Sequence, residues 1–182
     1  MKTSTSNIST LANEINQATE SKTSSILPGI LTGQVAGLIM AVVVMLVFAV
    51  FLGKSFLYPV QVIGSALLGE PALQGFNILA ILTGLILHQL GPSLLWGFVF
   101  AKLAQKFSIQ TTAESLKAGL FIGIISMVGP YILIPAVMNT LQGVDLWNRE
   151  VPIMWDWAAH LVFGLSFTLY PMLVKATSVE SK

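Results

Sequence analysis

Two histidines, His88 and His160, stand within long apolar stretches of the chain, and one aspartate, Asp156, stands at the edge of one. Ionisable groups in such a setting are costly to hold, which makes each a candidate functional residue. Asp156, His160, Gly164 and Thr168 recur every four residues and share one helical face. That spacing predicts a hydrogen bond from His160 to Asp156, fixing the imidazole tautomer and raising its basicity. His88 shares its face with Gly84, Gly91 and Leu95, which leaves room around the ring. Three uses are open to these groups. His88 and His160 can bind one b-type haem from two helices. They can form, with Gln89, Ser126, Tyr131 and Asp156, a polar midplane pocket for a proton, cation or small polar solute. They can also serve only as hydrogen-bonded packing groups. Catalysis is the weakest class, because there is no G-x-S-x-G, Walker loop, H-E-x-x-H or clustered carboxylate pair. No catalytic residue is assigned, and His88, His160 and Asp156 lack the short ligand spacing that would assign a metal.

The elements that must position these residues are four charge-free apolar stretches, 23–53, 71–101, 118–144 and 157–174. A helix rising about 1.5 Å per residue needs roughly 20 apolar residues to cross hydrocarbon. The expected fold is therefore all-α, a polytopic membrane protein with four transmembrane helices in an up-down bundle. Spans are predicted at about 30–53, 76–102, 117–141 and 153–174, within a membrane domain covering 26–176. A further segment at about 58–69, with Pro59 near its start and Gly69 and Pro71 at its end, is too short to span. It is expected to be an interfacial or re-entrant helix. Thr111 and Glu114 read as a capping box opening the third helix.

Composition agrees: 54% of residues are hydrophobic and 9% charged, with a mean hydropathy of +0.80. The absence of cysteine excludes disulfides, thiolate metal sites and iron–sulfur ligation. A formal net charge of +1 offers no field for nucleic acid. Lys2, Lys22, Lys102, Lys106, Lys117, Lys175 and Lys182 fall on one side of the predicted spans, and only Lys54 and Arg149 on the other. That asymmetry places both termini in the cytoplasm, with Trp147, Trp155 and Trp157 as an outer aromatic anchor. Residues 1–25 read as a mobile polar tail, in which Ile8, Leu11 and Ile15 hold helical spacing and Asn7-Ile8-Ser9 matches a glycosylation acceptor. Residues 177–182 form a second cytoplasmic tail.

Gly29, Gly33, Gly37, Ala41, Met45, Ala49 and Gly53 recur every four residues along the first helix. Small residues at this spacing permit close backbone packing in lipid, either between two copies of the chain or within one. Gly119 and Gly123 are expected to offer the matching surface on the third helix. Ala36-Gly37-Leu38 followed by Met45 recurs as Ala118-Gly119-Leu120 followed by Met127, a weak sign of a duplicated helix pair. Pro92, Pro130 and Pro135 remove helical donors from the carbonyls of His88, Ser126 and Tyr131, so freed carbonyls should lie beside the most polar core side chains. Counted from the cytoplasmic lysines, His88, His160 and Tyr131 lie 14, 15 and 14 residues in, at one level.

Gln34-Val35-Ala36-Gly37 at the start of helix one, His88 in helix two, and His160-Leu161-Val162-Phe163-Gly164 in helix four resemble a loosely defined group of small, uncharacterised four-helix bacterial inner-membrane proteins. The resemblance covers about residues 30–175. It implies four spans and a bacterial cytoplasmic membrane, and carries no activity, ligand or partner. The expected role is a non-catalytic accessory, assembly or stabilising subunit, in contact with the lipid bilayer and with a membrane-protein partner or further copies of itself. A haem b electron-transfer protein and an oligomeric channel or transporter for protons or a small polar solute are the alternatives.

Overall fold

The computed structural model describes the backbone of residues 4–179 and the side chains of residues 26–178. The expectations that rest on the side chains of Asn7, Ile8, Ser9, Leu11 and Ile15, and on Lys2, Lys22 and Lys182, lie outside the described residues. Apolar sequence with no water to satisfy its backbone must bond internally, and the described residues form helices and no strand. The helices are α1 (Ser4–Phe51), α2 (Tyr58–Leu68), α3 (Ile78–His88), α4 (Leu94–Phe107), α5 (Thr112–Ser126), α6 (Ile134–Gln142), α7 (Leu146–Glu150), α8 (Ile153–Ser166) and α9 (Tyr170–Val179). They compose four stretches long and apolar enough to cross a membrane, Ile26–Phe51, Ile78–Phe107, Thr112–Gln142 and Ile153–Ser178, with the shorter apolar α2 between the first two. The backbone of α1 is helical back to Ser4, so the polar N-terminal segment continues the first span without a break.

Both Gly-Pro sequences widen their helices. Where Pro92 and Pro130 break the regular ladder, the chain forms π-helical turns over Gln89–Ser93 and Gly129–Leu133. The second and third spans therefore stay continuous while changing the direction of the side chains on either side. The capping box predicted at the third span is formed: the Thr111 hydroxyl accepts from Glu114 N at 3.2 Å, and the Glu114 carboxylate accepts from Thr111 N at 3.0 Å.

The small-residue stripe of α1 packs within the chain. Gly29 lies against Ala101, Gly33 against Gly97 and the carbonyl of Ser93, and Gly37 against the Ser93 side chain, each so close that a Cβ would collide. Gly119 and Gly123 do not face this stripe, as the sequence spacing suggested. They pack on the fourth span instead, against Gly164, Phe167 and the carbonyl of His160. Two helix hairpins result, each closed by a glycine seam, and α1 joins them by packing on α8 and α9 as well as on α4. Phe100, Ile122, Phe163 and Phe167 fill the space between the hairpins, with the Phe100 and Phe167 rings 4.4 Å apart.

A third close contact sets α2. Gly64 packs on the carbonyl of Ala80 and Gly84 on that of Val60, so α2 runs antiparallel along α3 rather than lying across its end. The start of α2 is thereby level with Gly84, six residues or about 9 Å in from Ile78. The Gln61 amide anchors the return, donating to the carbonyls of Ala72 and Gly75, both at 2.8 Å.

Charged groups gather where α2 meets α7. The Tyr58 hydroxyl donates to Glu150 Oε2 at 2.7 Å, Arg149 Nη1 lies 2.9 Å from Glu70 Oε1, and Lys54 Nζ lies 3.6 Å from Glu150. Burial pushes Glu150 up, but the Tyr58 hydroxyl, Arg149 and Lys54 outweigh it and hold the carboxyl below its ordinary range. Burial, with the Glu150 carboxylate, pushes the Tyr58 hydroxyl up to about 12.

Candidate functional site

The polar residues predicted to form one midplane pocket fall into three groups. The first surrounds His88 at the π-helical turn of the second span. Gln34 Nε2 donates to the Gln89 carbonyl at 2.9 Å, and Gln89 Nε2 donates to the Gln34 carbonyl at 3.3 Å. This pair ties α1 to the widened turn. With its nitrogen committed to a carbonyl, the Gln89 amide turns its Oε1 to Ser93 Oγ at 3.0 Å and to His88 Nδ1 at 3.1 Å. An amide oxygen only accepts, so Nδ1 carries the ring's proton and Nε2 holds a lone pair.

The second group joins the third and fourth spans. His160 Nδ1 lies 2.6 Å from Ser126 Oγ, and Ser126 Oγ also donates to the Gly123 carbonyl at 2.8 Å. A hydroxyl has one proton, so a Ser126 that donates to Gly123 accepts from His160.

The third group is Asp156 with Trp147. The predicted His160-to-Asp156 bond gives way to an indole one: Trp147 Nε1 donates to Asp156 Oδ2 at 3.1 Å. Four-residue spacing placed the two side chains on one face, but the seam at Gly123 draws the His160 ring toward Ser126. The α7 turn meanwhile brings an indole to Asp156. Tyr131 joins none of these groups. It is exposed, and its hydroxyl accepts from Trp157 Nε1 at 2.9 Å.

His88 and Asp156, from the second and fourth spans, line one cavity of about 50 Å³. Its walls are mainly apolar and come from α1, α2, α3, α7 and α8, with Met40, Val60, Trp147 and Trp155 among them. That volume holds about four water-sized molecules. Asp156 is 5% exposed, and its contact with Trp147 engages only Oδ2. His160 does not line this cavity.

This arrangement does not fit haem. The cavity is too small for the macrocycle, and the backbone of His160 is pressed against Gly123, leaving no slot between the third and fourth spans. No metal-holding group of three or more His, Cys, Asp or Glu occurs among the described residues. His88 and Asp156 are the ionisable residues among its lining, within walls that are otherwise apolar or aromatic. Both accept protons and hydrogen bonds.

Gln34, Ser93 and Trp147 contact the candidate residues, and side-chain class alone did not single them out. Gln34 is a lone amide in an otherwise apolar run, which was a usable signal. Trp147 read as a surface anchor because its approach to Asp156 depends on the turn at α7. Comparison with protein-family models, curated proteins and solved structures found no match.

Proposed function

We infer that this protein binds and passes a proton or a small polar solute at an intramembrane site formed by His88 and Asp156. One observation carries the reading: two ionisable side chains from separate spans share a cavity, and a hydrogen-bonded amide orients one of them as an acceptor. Ionisable groups at such depth are retained where they serve a pathway, and the surrounding helices carry the widened turns common at such sites. His160 and Ser126 form a second polar pair, between the third and fourth spans.

The segment at 58–69 and the rim of Trp147, Trp155 and Trp157 are the surfaces an accessory subunit would offer a partner, and α2 buries Val60, Gln61, Val62, Gly64 and Ser65. The glycines at 29, 33 and 37, open to packing between copies or within one chain, are packed on the second span.

Proteoliposomes loaded with a pH-sensitive dye test it. An imposed pH gradient should collapse faster with the protein than without it, and His88→Ala and Asp156→Asn should each return the rate to that of protein-free vesicles. Vesicles as tight with the protein as without, across a panel of small polar solutes as well, would remove this function.

A further inference from the structure

We propose that the outward face of the second span near its lysine-bearing end, built from Leu95, Phe98, Lys102 and Lys106, is a docking site for one anionic phospholipid. None of these residues lines the cavity, so the site stands or falls separately from the functional reading above. On α4, Gly97, Phe100, Ala101 and Ala104 are buried against the rest of the chain. Leu95, Phe98, Lys102 and Lys106 follow one another at three- and four-residue steps along the opposite side, and all four are exposed.

This face changes character along its length. Leu95 and Phe98, 53% and 43% exposed, lie inside the apolar span and present surface that matches acyl chains. Lys102 and Lys106 stand five residues and one residue before Phe107, where the span ends. Their ammonium groups lie 5.3 Å from the Phe98 ring centroid and 5.5 Å from that of Phe107, so charge adjoins the apolar surface directly. Side chains four residues apart on a helix are neighbours and can reach one phosphate together. The charge is also uncompensated. Among the described residues neither lysine forms an ion pair, and Glu114, the described acid nearest in the chain, already accepts from the N–H groups of Gln110 and Thr111 at 2.9 and 3.0 Å. Two cationic donors with no acceptor beside them favour an anion. The apolar stretch that continues from them selects an anion carrying acyl chains, and a zwitterionic headgroup, which brings its own cation, fits less well.

Native mass spectrometry of the full chain in mild detergent, with equal amounts of phosphatidylglycerol and phosphatidylcholine added, reads the site. One phosphatidylglycerol per chain should be retained at least about fivefold over phosphatidylcholine, and the preference should shrink as ammonium acetate is raised. Lys102→Gln with Lys106→Gln should abolish the preference, and Phe98→Ala should reduce it with the charge unchanged. Lys117→Gln with Lys175→Gln removes equal charge from other helices and should leave most of it. All four lysines are exposed, so both pairs of changes should keep the unfolding midpoint of the parent. Equal retention of the two lipids, or equal loss in the two lysine pairs, would overturn the site. So would displacement of the lipid by inorganic phosphate, which would make this a plain anion site. A dimer in place of the lipid adduct, lost with the Lys102 and Lys106 changes, would overturn it too and give the face to a second copy of the chain.

Discussion

A histidine inside a membrane can present either a proton or a lone pair, and at His88 the choice is made by an amide one residue away. Gln89 holds its nitrogen on the Gln34 carbonyl, so its oxygen must face Ser93 and His88. Gln34→Leu removes a donor from the Gln89 carbonyl and should cost about 1 to 3 kcal/mol of stability in thermal or denaturant unfolding. It should also loosen the widened turn and slow the pH-driven flux, whereas Gln34→Asn, which keeps an amide donor, should retain part of it. At this scale the sequence was partly readable. His88, His160 and Asp156 stood out because charge is costly in apolar stretches, but their partners did not. Asp156 bonds Trp147 and His160 bonds Ser126, pairings set by a short turn and by a glycine contact that no residue spacing encodes. Tyr131 counted to the right depth yet faces outward, since counting fixes a level along a helix and leaves its rotation open.

Among the elements, the helices and the capping box followed from apolar run length and from Thr111 and Glu114. Which glycine meets which helix did not, because small residues offer close approach to any neighbour. The seams have no slack: a Cβ at Gly33 would lie 2.6 Å from the Ser93 carbonyl, and one at Gly123 2.6 Å from that of His160. Gly33→Val and Gly123→Val should each destabilise the bundle by about 1 to 3 kcal/mol or more, seen as a lowered unfolding midpoint of the monomer. A mutation acting on a dimer seam alone would change association and leave the monomer's midpoint in place. The outer latch has its own signature. The folded-state pKa of Glu150 is depressed, so its stabilisation is complete above the ordinary carboxylate range and is lost as pH falls through the lowered folded value. The unfolding midpoint should therefore drop with acidification in that window, and Glu150→Gln should flatten the dependence.

As a whole, the molecule is two helix hairpins joined through α1, with the short apolar α2 and the five-residue α7 closing one end over the cavity. The polar side chains inside are hydrogen-bonded: among the described residues no fully buried side-chain nitrogen or oxygen lacks a partner. What the cavity offers a ligand is thus confined to His88 and Asp156. The chain has no cysteine, so Ser55→Cys and Gln110→Cys each create a single thiol, one between the first and second spans and one between the second and third. Impermeant labelling of cells should reach the two from opposite faces, with position 110 on the cytoplasmic side if the lysine asymmetry sets orientation.

The tautomer of His88 is the point on which the site depends. With two histidines in the chain, nitrogen-15 solid-state NMR of the labelled protein in lipid resolves it, using His160→Asn to assign the signals. The account predicts a neutral His88 ring with its proton on Nδ1 and a bare Nε2 that takes up a proton as pH is lowered. A ring protonated on Nε2 and bare on Nδ1 would contradict it, because the Gln89 oxygen would then not orient His88 and Nε2 could not take up the proton.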